Sequence, residues 1–157
     1  MRLLVQRVAS ASVTIDSQLH ASIGKGLLVF LGVKQDDSET CIPWLAKKLA
    51  ELRIFEDNAD KMNLSVSDIG GEILLVSQFT LYADCRRGRR PDFLQAAPPA
   101  LAESLYERFI SEVKTYGIPV QTGVFGAMMQ IALVNDGPVT IILDSKADNA
   151  PQNSSLN

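Results

Sequence analysis

The chain has 157 residues, 46% of them hydrophobic, enough for one substantial core and one domain. Its net charge of −3 argues against wholesale coating of nucleic acid, so any such contact must come from a local cluster. No apolar stretch reaches the roughly 18 to 20 residues of a membrane span; the longest candidate runs from Gly26 to Val33.

Met1-Arg2-Leu3-Leu4-Val5-Gln6-Arg7 carries arginines in its apolar stretch and no small-residue cleavage site, so it does not read as a signal peptide. A soluble, cytoplasmic protein without membrane contact is expected. Leu3 to Val8 and Ser12 to Ile15 read as short strands joined by Ala9-Ser10-Ala11, with a weaker strand from Leu19 to Ile23. After the Gly24-Lys25-Gly26 turn, Leu27 to Leu31 is an apolar run of strand length, expected to be buried on both faces. That turn lacks the glycine spacing and following hydroxyl of a P-loop.

Asp36-Asp37-Ser38 supplies N-cap candidates for a helix whose Ile42, Leu45, Ala46, Leu49 and Leu52 share one face, Pro43 being tolerable in the first turn. Arg53-Ile54-Phe55 looks extended and Glu56 to Asp60 is a polar loop whose carboxylates fit no calcium-loop spacing. Gly70-Gly71 precedes an expected strand from Glu72 to Tyr82. Pro98-Pro99 opens a second helix with Leu101, Leu105, Phe109 and Val113 at steps of four, flanked by Ala102 and Ile110 and closed at Tyr116-Gly117. Strands follow over 120–124, 128–134 and 139–143, with Phe125-Gly126-Ala127 as a break and Asn135-Asp136-Gly137 as an ordinary hairpin signal, which Pro138 changes because Gly-Pro in a tight turn is a place for a cis bond. The domain spans 1–144; the polar 145–157 reads as a disordered tail.

Two stretches invite chemistry. Ile73-Leu74-Leu75-Val76 runs into Ser77-Gln78-Phe79-Thr80-Leu81-Tyr82, where a buried strand turns polar; this is either ordinary decoration of a strand end or a place where side chains and N–H groups meet a ligand. Directly after it, Arg86, Arg87, Arg89 and Arg90 put four positive charges in five positions, read either as a solvated loop or as a phosphate grip, the placement favouring the second. His20 is the only histidine and has no motif around it, so a Ser-His-Asp or Cys-His arrangement finds no support. Cys41 and Cys85 are far apart, and no His, Cys and carboxylate cluster has metal spacing, so neither a metal nor a cofactor is expected. Hydrolysis would then lean on backbone N–H groups, hydroxyls such as Thr80, or the substrate itself.

Taken together, Ser77-Gln78-Phe79-Thr80-Leu81 and Asn135-Asp136-Gly137-Pro138-Val139-Thr140 resemble the two signature motifs of the D-aminoacyl-tRNA deacylases, also called D-tyrosyl-tRNA deacylases. Gln6-Arg7-Val8, Gly26-Leu27-Leu28, Arg53-Ile54-Phe55, Lys61-Met62-Asn63-Leu64 and Thr122-Gly123-Val124-Phe125-Gly126 extend the similarity from residue 1 to about 144. The resemblance implies an α+β fold of mostly antiparallel or mixed β-sheets packed with two main helices. It also implies a homodimer with each active site at the interface, the Ser-Gln-Phe-Thr strand of one subunit facing the Gly-Pro turn of the other.

By the same resemblance, Gly137 and Pro138 form a cis filter that rejects L-amino acids, Arg7 holds that turn, and Phe125, Met129 and Asn135 border the substrate. Ser77, Gln78, Phe79 and Thr80 carry catalysis, with the N–H groups of Phe79 and Thr80 at the ester carbonyl and the 2′-hydroxyl of the terminal adenosine assisting water. The substrates implied are D-aminoacyl-tRNA and glycyl-tRNA mischarged on tRNA-Ala, with Arg86, Arg87, Arg89 and Arg90 on tRNA phosphates. Met128 departs from the aspartate of many relatives. Two alternatives remain: a non-catalytic tRNA-binding or oligomeric module, and a small-molecule esterase using Thr80.

Overall fold

The computed structural model describes residues 1–145; of the tail expected over 145–157, all but Ser145 lies outside the described residues. Strand β1, Arg2–Ile15, is the spine. It is one strand, not the two separated by a link that the small residues suggested. Ala9 is accommodated as a bulge, the register slipping between Val8 and Ser10. The slip changes which side chains share a face. Met1, Leu3 and Val5 belong to one buried cluster, whereas Val8, Ala11 and Val13 belong to another on the opposite face.

A tight turn with positive φ at Asp16 (49°) and Ser17 (63°) returns the chain into β2, Gln18–Ile23, antiparallel to the second half of β1. Strand β3, Gly26–Gly32, pairs antiparallel with the first half of β1 and is almost wholly buried, as its unbroken apolar run predicts. Helix α1, Ile42–Ala50, buries Ile42, Leu45, Ala46, Leu49 and Ala50; it ends before Leu52. The short strands β4, Phe55–Glu56, and β5, Met62–Leu64, form a separate two-stranded ribbon.

Strand β6, Glu72–Ser77, joins β3 in parallel. Helix α2, Pro99–Lys114, buries Leu105, Tyr106, Phe109 and Val113, and α1 and α2 pack with the β1, β3 and β6 side chains in the larger core. Strand β7, Val120–Thr122, lies parallel to β6. Strand β8, Gln130–Asp144, runs antiparallel along β1 from Arg2↔Asp144 to Thr14↔Gln130. The sheet order is β2-β1-β3-β6-β7 with β8 on β1, an α+β arrangement of mixed strands with two main helices. Among the described residues no helix is long and apolar enough to cross a membrane.

Two local expectations are revised. Ser38 precedes a 3-10 turn, Glu39–Cys41, without a capping bond from its side chain, and Asp37 does not cap a helix at all. The Asp37 carboxylate is buried, accepts the Lys34 N–H at 2.7 Å and lies 2.6 Å from the Met1 ammonium. That ammonium also donates to the Ser145 hydroxyl at 2.6 Å, and Ser145, assigned above to the tail, is itself buried. A buried ion pair with one partner removed leaves an uncompensated charge. Asp37→Asn is therefore expected to lower unfolding stability by about 3 to 5 kcal/mol in urea titration; a loss below about 1 kcal/mol, the scale of a surface pair, would show the carboxylate is dispensable.

Candidate active site

Strands β3, β6 and β7 are mutually parallel, so their carboxyl ends open on the same side of the sheet, where side chains and free backbone groups are positioned by rigid neighbours. A cavity of about 740 Å³ lies there. Its walls include Leu31 and Val33 from the end of β3, Ser77, Gln78 and Phe79 from the end of β6, and Phe125 to Met129 from the segment after β7. Ala97, Pro98 and Ala102 close it from the start of α2. This size and apolar lining, with a few polar groups at one end, suit a small organic moiety.

The polar end is a sharp turn. The expected strand to Tyr82 stops at Ser77, and Phe79–Tyr82 is a 3-10 turn. The Gln78 N–H still bonds to Leu31 O at 2.8 Å, and the first bond of the turn runs from the Leu81 N–H to Gln78 O at 3.3 Å. The N–H groups of Phe79 and Thr80 come before that bond and have no acceptor inside the turn. The Gln78 side-chain amide donates to the Thr80 hydroxyl, tying the two polar side chains together. The turn lies hard against Gly32, where a Cβ would stand 3.1 Å from Leu81 Cβ and 3.2 Å from Gln78 O. From α2, the Tyr106 hydroxyl donates to Leu75 O at 2.8 Å and its ring lies 6.1 Å from that of Phe125. Tyr106 was missed in the sequence, although its spacing from Ala102 and Phe109 places it on the inward stripe.

The second motif is not a hairpin. Register passes from Gln6↔Thr140 to Val8↔Asn135, so Asp136–Val139 leave the ladder as an excursion within β8, opposite the single residue Arg7. The Gly137-Pro138 bond is cis. Asn135 braces the excursion: its side-chain oxygen accepts the Val139 N–H at 2.8 Å, and its amide donates to Val139 O at 3.2 Å. Arg7, 5% exposed, donates from Nε to Asp136 O at 2.8 Å and from Nη1 to Ile54 O at 2.7 Å. Gly137 has φ +137°, and a Cβ there would meet Val139 Cγ2 at 2.7 Å and Arg7 Nη2 at 3.0 Å, so no side chain is accommodated.

The chain thus gathers the proposed site residues into two groups. Ser77, Gln78, Phe79, Phe125 and Met129 line one cavity, with Thr80 on the adjoining turn. Arg7, Asn135, Gly137 and Pro138 form the other group, and none of these four lines the cavity of its own chain. Met128 is 91% exposed at the cavity's edge.

Residues 4–144 match the family described as D-Tyr-tRNA(Tyr) deacylase. A D-aminoacyl-tRNA deacylase of Thermomicrobium roseum is 59% identical over 92% of this chain and 94% of its own. Another, from Desulfatibacillum aliphaticivorans, is 58% identical over 93% of this chain and the whole of its own. The chain belongs to the D-Tyr-tRNA(Tyr) deacylase family. Among solved structures, one titled c-Myc DNA Unwinding Element Binding Protein is 42% identical and superposes with a TM-score of 0.87 over 92% of this chain and 98% of that one.

Against this deacylase background the titratable inventory is informative. His20 lies exposed on β2 and does not line the cavity. Tyr82 and Tyr106 are pushed well above the ordinary phenol value, both first by burial and Tyr82 also by the Asp37 and Asp144 carboxylates, so neither phenol is a base at neutral pH. In the arginine loop, Arg86 is paired with Asp84, whose carboxyl is held down to about 2 by the Arg86 side chain and N–H. Arg87, Arg89 and Arg90 are exposed on the same loop. Among the described residues no three His, Cys, Asp or Glu side chains gather as a metal-ligand set.

The two groups of this deacylase depend on separate supports, and the Arg7 support is testable. A lysine at position 7 carries one compact ammonium and cannot reproduce a fork that spans Asp136 O and Ile54 O. Arg7→Lys is expected to cost about 1.5 to 3 kcal/mol in denaturant titration, the range for hydrogen bonds from a charged donor. Wild-type stability in that variant would show that the excursion holds itself.

Proposed function

We propose that the chain hydrolyses the ester linking a D-amino acid to the 3′-terminal adenosine of tRNA, releasing the free D-amino acid and tRNA. The observation that carries this reading is the turn Phe79–Tyr82 beside the cavity, with two N–H groups ahead of its first hydrogen bond. Family membership supplies the substrate class.

In this mechanism the aminoacyl group enters the cavity and its carbonyl oxygen meets the N–H groups of Phe79 and Thr80. Water adds to the carbonyl carbon, the negative charge collects on that oxygen, and the two donors stabilise it; each such donor is worth roughly 10² to 10³ in rate. Collapse breaks the bond to the ribose oxygen, which leaves with a proton. The 2′-hydroxyl of the adenosine assists the attack, consistent with a cavity lined by no histidine or carboxylate. Ser77 and Gln78 position substrate or water, and Gln78 also orients the Thr80 hydroxyl. Phe125 and Met129 bound the aminoacyl side.

The filter is Gly137-Pro138 of a second protomer. Its support is twofold: neither residue lines the cavity of its own chain, and the sheet face opposite the helices is incompletely covered. Ile142, Leu4, Phe30 and Val76 form a row across four strands on that face, with Ile142 61% exposed and Leu133 37% exposed on the same strand as Ile142. A homodimer joined there covers Ile142, Leu4 and Phe30, Val76 being buried already, and brings the excursion of one chain to the turn of the other. Backbone at the filter excludes an L side chain and admits a D side chain. Glycyl-tRNA mischarged on tRNA-Ala is a second substrate of this reading, because glycine offers no side chain to reject. The protein works in the cytoplasm, and Arg87, Arg89 and Arg90, with Arg86, hold acceptor-stem phosphates.

Purified protein is expected to deacylate D-tyrosyl-tRNA and to spare L-tyrosyl-tRNA, with a chelator present and against a no-enzyme blank. Loss of neither ester above the blank leaves a tRNA-binding module as the reading, and equal loss of both removes Gly137-Pro138 as the filter. Thr80→Ala is expected to lower the rate less than about 100-fold, within the scale of a positioning contact; a trapped acyl-enzyme on Thr80 would point instead to a covalent esterase. Alanine at Arg87, Arg89 and Arg90 together is expected to weaken tRNA binding and flatten its salt dependence by up to about 3 in slope. An unchanged slope would place the phosphates elsewhere.

A further inference from the structure

We infer that the ring pair Phe79–Phe93, beside the arginine loop, is a stacking platform for the nucleobase preceding the terminal adenosine of the acceptor strand. The inference rests on the deacylase reading for the identity of the strand and extends it by one nucleotide.

The two rings meet edge to face, with centroids 5.1 Å apart and an interplanar angle of 65°. They do not belong to the core: Phe79 is 55% exposed and Phe93 38% exposed, yet both line the cavity, which puts them at its rim. Aromatic surface left open at the entrance of a cavity, next to exposed cations, is the combination by which proteins hold single-stranded nucleic acid.

Phe93 is fixed in place from both sides. The Asp84 and Asp92 backbones exchange two hydrogen bonds of 2.7 and 2.9 Å, closing the loop that carries Arg86 to Arg90. On the other side the Leu94 N–H donates to the Asp92 carboxylate at 2.6 Å, and the Ala97 N–H bonds to Val33 O at 2.9 Å, tying the segment to the end of β3. A surface ring needs none of this anchoring for stability, whereas a platform for a base does. The chemistry also runs in the right order. A strand whose terminal adenosine lies in the cavity presents its preceding base at the rim, and the phosphate 5′ to that base comes nearest the loop where Arg87, Arg89 and Arg90 are exposed and Arg86 is engaged by Asp84.

The test compares a full and a minimal substrate. Phe93→Leu is expected to raise KM for D-tyrosyl-tRNA by roughly five- to a hundredfold, the range for one stacked base, with kcat within about twofold. D-tyrosyl-adenosine, which lacks the preceding nucleotide, should be hydrolysed as well by the variant as by the wild type, and Phe93→Trp should restore the tRNA KM. A direct signature comes from an uncharged RNA hairpin ending in CCA with the fluorescent base pyrrolocytosine at the penultimate position. Its emission should be quenched by wild type and Phe93→Trp, and not by Phe93→Leu. Equal losses on both substrates, no loss on either, or quenching that survives in Phe93→Leu overturns the inference. So does a shift of Phe93→Leu to a different oligomeric state, which would mean that a second copy of the chain covers the rings. Failure of the wild type to hydrolyse D-tyrosyl-tRNA would count against the deacylase reading alone, because the quenching with uncharged RNA still decides the stacking.

Discussion

Arg7 stands in a row of side chains that point into the larger core: Met1, Leu3 and Val5 precede it at alternate positions of β1 and are fully buried. A guanidinium there costs several kcal/mol unless its N–H groups find acceptors. Regular pairing of β8 would turn its carbonyls toward the β1 backbone and leave none for the side chain. The departure of Asp136–Val139 from the ladder frees the Asp136 carbonyl, and the ribbon of β4 and β5 contributes Ile54 O next to its first strand. Arginine and excursion therefore require each other. Two segments separated by almost the whole chain are held in one arrangement by a buried charge, answered by these two carbonyls and by the Asp136 and Glu56 carboxylates at 3.5 and 3.8 Å.

The cavity obeys a different constraint. It lies at the carboxyl ends of three parallel strands, β3 and β6 buried in the sheet and β7 at its edge, and the turn after β6 packs so closely on Gly32 that a methyl group there would crowd it. The hydroxyl of Tyr106 holds β6 from the helix side through Leu75 O. A turn fixed in this way keeps its first N–H groups pointed in one direction without reorganisation, which is the condition under which backbone donors stabilise a developing negative charge. In the proposed mechanism such a turn acts without an ionisable catalyst, and the cavity lining holds no histidine or carboxylate. The phenols nearby are kept neutral by burial, and the loop carboxylate of Asp84 is committed to Arg86.

Much of this architecture was legible from pattern. The unbroken apolar run Leu27 to Leu31 is the central strand, and the four-residue steps of Leu101 to Val113 are a helix with its stripe inward, because burial on one or two faces imposes those periods directly. Three features were not legible for identifiable reasons. Ala9-Ser10-Ala11 looked like a break because small residues mark both links and bulges, and only the partner strand distinguishes them. Asn135-Asp136-Gly137 carries hairpin chemistry, yet the strand it interrupts is paired with β1 at the other end of the chain, so local signals could not reveal an excursion. Asp37 resembled a helix cap, while the partner that claims its carboxylate is the Met1 ammonium. Arg7 did carry a signal: a charge in an alternating apolar row has to be answered by buried acceptors.

The proposed site is divided within the chain, and the division has a physical logic. A filter that discriminates mirror-image substrates by exclusion must be stiff, since a group that yields by an ångström admits both hands. Gly137 and Pro138 offer backbone with no rotamers to yield, and Asn135 and Arg7 bond that backbone at Val139 and Asp136 on either side of the pair in sequence. The turn proposed to carry the donors needs the opposite surroundings: an open approach for a nucleic-acid end and for water. One strand cannot meet both demands, because the bracing that stiffens the excursion also fills the space around it. On the proposed reading, a filter on β8 and donors after β6 can each be built to their own requirement, and the incompletely covered Ile142, Leu4 and Phe30, in register with the buried Val76, are the surface by which the proposed dimer would bring them together.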